Sequence, residues 1–378
     1  MAFEHYIRAG GRLLRCGFTT GTCAALAASG AAQRLLTGRW PEQMALTTPK
    51  GIRVEVPLEQ TRMEGERAVC AVRKDAGDDV DCTAGALIQA SAALTPAPGV
   101  TILGGRGVGR VTKPGLDQPM GVAAINRVPR QMICQGVEEV CRRAGYAGGV
   151  EVVISVPGGE ELARRTFNPR LGILGGISIL GTGGIVEPMS LQALADTVAL
   201  ELRQAAALGA REVVLTPGNY GEEFLRGLGM PPPGVGLVKC SNFIGQALDE
   251  AGALGFERVL LVGHVGKLVK LAGGIMNTHS RWGDCRNELF CAHAALQGAP
   301  REVCRQLMEA ATSQACLSIL TRAGLLRPVL DSLLQAIERR LEQRAGGAFQ
   351  AGALLFSLED GELGRTETAE EIIKRWNM

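Results

Sequence analysis

Apolar residues recur along this chain with two different periods, and the change of period marks its organisation. After Arg15 the stretch TTGTCAALAASGAAQRLLTG opens on hydroxyls and glycine, runs on as an alanine-rich helix and meets a stop at Gly38. QMALTTPKGIRVEVPL alternates at Ile52, Val54 and Val56 and predicts two strands about a Pro-Lys-Gly turn. ERAVCAVRK predicts a third strand, and DAGDDVDCTAGALIQASAAL an acidic loop feeding another helix. GVTILGGRGVGRVTKPGL reads as a strand, a glycine turn and a strand. Around Ala147 to Gly149 the pattern changes. GVEVVISVPGGEELARR, REVVLTPG, GVGLVKCSN and ERVLLVGHVG are short β-branched runs, most of them ending in glycine-containing loops, with helical LQALADTVALELRQAAALGA and NFIGQALDEAGALG between them. Strand, loop and helix in that order predict a parallel sheet covered by helices. Beyond Asn287 the chain reads as helical (NELFCAHAALQG, REVCRQLMEAATSQACLSIL, LDSLLQAIERRLEQR), then a strand GALLFSL and a short terminal helix. The expected architecture is an α+β domain over residues 1–148. An α/β, doubly wound, mostly parallel-sheet domain of Rossmann-like type follows over 149–378, with a helical C-terminal part.

Composition narrows the function classes. The 51 glycines are about twice the usual share and have no collagen-like period, so they point to tight turns and close backbone approaches. Aromatic residues make up 4%, which disfavours base stacking, and 40 basic against 38 acidic residues leave no nucleic-acid footprint. No apolar run approaches a membrane span, the N-terminus lacks a secretory pattern, and eleven cysteines contain no CxxC pair. The expectation is a cytoplasmic protein with reduced cysteines, no protein-held metal, and no nucleic-acid or membrane partner.

Several loops carry candidate chemistry. GHVGKL resembles a phosphate loop but has Leu261 where the first glycine belongs and Leu268 where the magnesium-binding hydroxyl belongs. GTGGIV at Gly181 begins like a dinucleotide fingerprint and ends on Val186, so a nucleotide phosphate loop is disfavoured. TTGTC opens a helix, and its hydroxyls and free N–H groups serve either an anion or plain capping. Asp75, Asp78, Asp79 and Asp81 lack calcium-loop spacing and read first as turn and cap residues, then as ligand contacts or a base. His264 and His279 lie among polar loop residues without an HxxxH or HExxH partner, and no GxSxG is present for a serine triad. Arg110, Lys113, Arg127, Arg130, Arg170, Lys267 and Arg281 are solvated charges by default, and together they suit a ligand with several carboxylates.

Taken together, CGFTTGTCAALAA, KDAGDDVDCTAGA, GVGRVTKPGL, AINRVPRQMI, SVPGGEELARRTFNPRLGILGGISILGTGGIVEPMS, TPGNYG, KCSNFIGQAL and GHVGKLVKLAGGIMNTHS occur in order across residues 16 to 280. The set resembles the CbiD family, the cobalt-precorrin-5B C(1)-methyltransferases of the anaerobic cobalamin pathway. Departures from the family pattern are Gly183 in place of a threonine, Val80 in place of a proline, Cys82 in place of a valine, Arg127 in place of a proline, and an altered sequence after Ser280 in NTHSRWGDCR. A catalytic hydroxyl at position 183 therefore does not carry over.

The resemblance implies methylation of C1 of cobalt-precorrin-5B by S-adenosylmethionine, giving cobalt-precorrin-6A, with cobalt present only in the substrate. It also implies a first domain of the ribosomal-protein-S5 domain 2-like kind. A non-catalytic corrinoid carrier is the alternative from another class, and a phosphotransferase using GHVGK is a third. On the family reading, Gly181, Thr182, Gly184, Gly218, Asn219, Gly263 and Gly266 are expected to hold the methyl donor. Thr19, Thr20, Thr22, Lys113, Arg170, Lys267 and Arg281 are expected to hold the substrate. His264, His279, Glu187 and Asp79 are the candidate bases. Expected partners are the small-molecule substrate and either a second copy of the chain or, in transient contact, neighbouring pathway enzymes.

Overall fold

The computed structural model describes residues 3–9 and 11–377. The chain forms two compact units, Met1–Ser190 and Leu191–Met378. The division falls after Ser190 and not near 148/149, because the 149–155 strand is enclosed in the sheet of the first unit.

In that unit the alanine-rich segment is helix α1 (Thr20–Thr37). The Thr19 side chain accepts from the Thr22 N–H at 3.2 Å, and Gly38, with φ 73°, ends the helix. Strands β1 (Glu59–Glu64), β2 (Arg67–Arg73), β3 (Leu87–Thr95) and β4 (Gly99–Gly104) follow, then helix α2 (Arg127–Arg143) and strand β5 (Gly149–Ser155). The sheet order is β1-β2-β3-β5-β4, with only the β5–β4 pair parallel.

LIQASAAL is therefore a strand and not the expected helix. Its small residues alternate, with Ile88, Ala90 and Ala92 fully buried beneath α1. Alanine favours a helix in isolation, but here it lets a buried helix lie close to the sheet. The α1 alanines at 24, 25, 27, 28, 31 and 32 are also fully buried, so the helix is enclosed on most sides. Gly136 of α2 approaches so closely that a Cβ there would stand 2.4 Å from Ser29 Oγ.

The second unit contains α3 (Leu191–Ala207), β6 (Glu212–Thr216), α4 (Asn219–Gly227), β7 (Gly236–Lys239), α5 (Ile244–Ala253), β8 (Arg258–His264) and α6 (Val265–Ala272). Then come α7 (Arg286–Leu296), α8 (Arg301–Glu309), α9 (Ser313–Arg322), α10 (Leu326–Ala345), β9 (Gln350–Ser357), β10 (Gly361–Arg365) and α11 (Glu367–Trp376). The sheet order is β7-β6-β8-β9-β10, parallel except for the last strand. Residues alternate between faces along each strand. Val213, Leu215, Val259, Leu261, Ala353 and Leu355 share a core with α3, α5, α6 and α7 to α10. Val214, Leu260, Val262, Leu354 and Phe356 face α4 and α11. Both faces are covered, which explains the nearly continuous apolar runs of these strands. REVCRQLMEAATSQACLSIL is two helices, because Thr312 caps a fresh start by accepting the Ala315 N–H at 3.1 Å. No helix among the described residues is long and apolar enough to cross a membrane.

Candidate functional site

In the second unit, β6 lies between β7 and β8, so the connections leaving β6 and β8 diverge. Such a reversal of strand order opens a crevice outside the carboxyl ends of the two strands. A cavity of ≈ 560 Å³ occupies that position, lined by Pro217, Gly218, Asn219, Tyr220, Gly221, Glu223, Gly263, His264, Lys267 and Leu358. Its size is typical of small-molecule sites, which run about 300–1,000 Å³.

Each wall has a local cause. Gly218 precedes α4 and provides no side-chain cap, which leaves the first amide groups of that helix available to a ligand. Lys239 donates to Asn219 Oδ1 at 2.9 Å and lies 3.2 Å from Glu222, which fixes the Asn219 side chain. Lys267 donates to the Pro217 carbonyl at 2.7 Å, tying α6 to the loop after β6. Burial lowers the Lys267 ammonium from its ordinary value; the nearby Cys240 thiol opposes this and Lys270 adds to it. Behind the crevice, Thr216 Oγ1 is fully buried without a hydrogen-bond partner.

His264 caps α6: its Nδ1 accepts the Gly266 N–H at 3.1 Å. With Nδ1 committed as acceptor, the neutral ring carries its proton on Nε2 and presents a donor. His279 repeats the arrangement, with Nδ1 accepting the Arg281 N–H at 3.2 Å. Neither ring, as held here, offers a free basic nitrogen.

Burial also pushes the His264 ring below its ordinary value, and burial with Arg339 nearby lowers His293. These rings take up protons more readily unfolded than folded. The associated stability is full above the unfolded pKa of ~6.5 and is lost as pH falls through and below it. The thermal midpoint is thus expected to drop between about pH 7 and about pH 5. The drop should be shallower in His264→Asn, which keeps a side-chain cap and does not titrate. Parallel curves for the two proteins would refute this account.

A second group of the sequence-predicted residues lies on the loop following α6. The buried Lys270 ammonium donates to the Thr278 and Gly283 carbonyls at 3.2 and 3.0 Å and lies 3.6 Å from Asp284. This holds the turn that carries His279 and Arg281.

The first unit gathers the rest. Strand Ile185–Val186 pairs with Gly17–Phe18. Thr20 Oγ1 lies 3.3 Å from the Ser178 and Leu180 carbonyls and accepts the Leu180 N–H at 2.9 Å, while Thr22 Oγ1 donates to the Gly184 carbonyl at 2.6 Å. The three threonines are thus buried caps and clamps of α1. The glycines beside them approach the chain's own threonines: a Cβ at Gly181 would stand 2.4 Å from Thr19 Cγ2, and one at Gly184 2.7 Å from Thr48 Cβ. Glu187 is paired with Lys50, and Thr182 is exposed. In the acidic loop, Asp75 forms a two-bond pair with Arg15, Asp78 accepts the Arg15 N–H, and Asp81 binds Lys74 and Thr83. Among these four aspartates only the Asp79 carboxylate has no partner among the described residues. Lys113 lies 3.4 Å from the Arg170 carbonyl, so those two positions are neighbours. No group of three or more His, Cys, Asp and Glu side chains among the described residues could hold a metal ion.

Of the sequence-predicted residues, Gly218, Asn219, Gly263, His264 and Lys267 line the crevice. Glu223, in the second turn of the helix after TPG, was not singled out, and Tyr220, in the first turn, was not named by itself. Leu358 arrives from beyond β9 and had no local signal.

The model of the family described as CbiD matches residues 7–188, and that of the CbiD C-terminal domain matches residues 277–367. A protein of Ruminiclostridium cellulolyticum named cobalt-precorrin-5B C(1)-methyltransferase is 44% identical, covering 98% of this chain and 97% of its own length. One of the same name from Alkaliphilus metalliredigens is 41% identical, covering 98% of this chain and 97% of its own. A crystal structure titled cobalamin biosynthesis protein (cbiD) from Archaeoglobus fulgidus is 29% identical, covers 78% of this chain and 88% of that one, and has a TM-score of 0.39.

Proposed function

The chain belongs to the CbiD family, and from that premise we propose that it transfers a methyl group from S-adenosylmethionine to C1 of cobalt-precorrin-5B. It is an enzyme of cobalamin biosynthesis, a C(1)-methyltransferase. What carries this reading is 41–44% identity, over nearly the whole length of both chains, to proteins of that name.

The crevice outside β6 and β8 fits the methyl donor. Tyr220, which is 57% exposed, offers a flat wall for a base. Glu223 accepts hydrogen bonds from hydroxyl or ammonium groups, and the His264 Nε2–H and the uncapped amides of α4 suit a carboxylate. Bound there, the donor supplies a sulfonium methyl that is already electrophilic. The chain's task is then alignment: fixing donor and acceptor carbon at near-attack distance and excluding water. Lys267, tied to the Pro217 carbonyl, holds α6 against the loop after β6 at the edge of the ligand site. His264 serves as a donor that orients the ligand. The first unit, with two helices over a largely antiparallel sheet, supports the S5 domain 2-like reading.

The test is incubation of the purified protein with methyl-labelled S-adenosylmethionine and cobalt-precorrin-5B. Label is expected in the tetrapyrrole in a one-to-one ratio, and calorimetry should detect S-adenosylhomocysteine. Tetrapyrrole binding with no label transferred would favour the carrier instead.

A further inference from the structure

We propose that the Ser280–Trp282 turn and the cavity beside it form the docking site for the tetrapyrrole, with the Trp282 ring stacked on the macrocycle and Arg281 paired with one of its carboxylate arms. The inference rests on the methyltransferase reading, which supplies a flat, apolar, polycarboxylate substrate.

Trp282 is 63% exposed, an unusual position for a large apolar ring on a turn fixed from several sides. Lys270 holds the carbonyls of Thr278 and Gly283, Asn277 Oδ1 accepts the His279 N–H, and the Thr278 hydroxyl is 3.0 Å from Asn242 Oδ1. The ring is therefore displayed on backbone that is already ordered, so little further backbone freedom is lost when it stacks on a ligand. Beside it lies a cavity of ≈ 330 Å³ with Phe243 and Met276 as apolar walls and Gln192 and Asn277 as polar ones. That volume suits an edge or arm of a macrocycle, leaving the ring plane against Trp282.

Charge selects an anionic ligand. Arg344 borders the cavity but is committed to Asp249 through two bonds of 2.9 and 2.6 Å. Arg281 is exposed, adjoins the tryptophan and has no acidic partner among the described residues. A free guanidinium next to an exposed indole matches a carboxylate arm next to a flat ring.

Equilibrium dialysis with cobalt-precorrin-5B tests the site in the full-length protein. Trp282→Ala is expected to raise Kd about ten-fold, while Trp282→Phe stays near wild type. Arg281→Ala should raise Kd and flatten its dependence on salt. In Trp40→Phe/Trp376→Phe, which leaves one of the three tryptophans, saturating tetrapyrrole should quench the remaining emission. S-adenosylhomocysteine affinity should be the same in all variants, which shows that they fold. Unchanged Kd in both Trp282→Ala and Arg281→Ala, or unquenched emission at saturation, overturns the docking site. Tight binding without methyl transfer by the wild type would instead overturn the methyltransferase reading and leave this site standing. Absence of binding to the wild type sinks both.

Discussion

Asp81→Ala is expected to destabilise the protein by about 3 kcal/mol, the low end for removing one partner of a buried ion pair, whereas Lys74→Met should cost under about 1 kcal/mol. The asymmetry follows from burial. The Lys74 side chain is 3% exposed and its ammonium meets Asp81 at 2.5 Å, while Asp81 is 24% exposed. Removing the carboxylate leaves an ammonium enclosed and unpaired; removing the ammonium leaves a carboxylate with water and Thr83 for company. The pH dependence has a definite sign. Burial would raise the Asp81 carboxyl, but Lys74 and the Thr83 hydroxyl and N–H outweigh it and hold it below its ordinary value. The stabilisation is therefore present above the unfolded pKa of ~3.9 and is lost as pH falls through the lower folded value. Chemical denaturation at neutral pH should separate the two variants, and the gap between Asp81→Ala and wild type should close in acid. Equal destabilisation by both substitutions would show that the pair is not enclosed as described.

That pair also illustrates what the sequence could and could not tell. Caps and periods were legible: Thr19 and Gly38 bound α1, and the β-branched runs before TPG, KCSN and GHVG are strands of a mostly parallel sheet. LIQASAAL was misread because alanine composition suggests helix, while the decisive fact, a helix packed on top of it, is tertiary. The strand Gly149–Ser155 was recognised as a strand but assigned to the wrong unit. Its alternation is visible, yet nothing local says that its neighbours are β3 and β4. At the candidate site, the loops after β6 and β8 were found because glycine-rich turns follow apolar runs. The acceptor state of the His264 and His279 Nδ1 atoms was not, since it depends on the fold of the next two residues. The glycines of GTGG were read as room for a ligand. The structure fills that room with Thr19 and Thr48, a contact between segments more than a hundred residues apart.

Gly218→Leu should weaken S-adenosylhomocysteine binding by about 100-fold, roughly 2.8 kcal/mol, and reduce methyl transfer at least as much, with the melting temperature nearly unchanged. Gly218 lines the crevice, its φ of 167° is extended backbone open to any residue, and a Cβ built there meets nothing within 4 Å. A leucine can therefore enter without straining the fold, and its branched end occupies space at the mouth of the cavity beside the first amides of α4. A clash that exists only when the ligand is present acts on binding and not on stability. Gly227→Leu is the control, since a Cβ there also meets nothing within 4 Å but the residue ends α4 away from the cavity lining. If both variants bind S-adenosylhomocysteine as the wild type does, the donor does not occupy the crevice between β6 and β8, whatever the chain methylates. If both lose binding while remaining folded, the effect belongs to α4 as a whole. Loss in Gly218→Leu alone, with the tetrapyrrole still bound, would assign the methyl donor to this crevice and keep its site separable from that of the substrate.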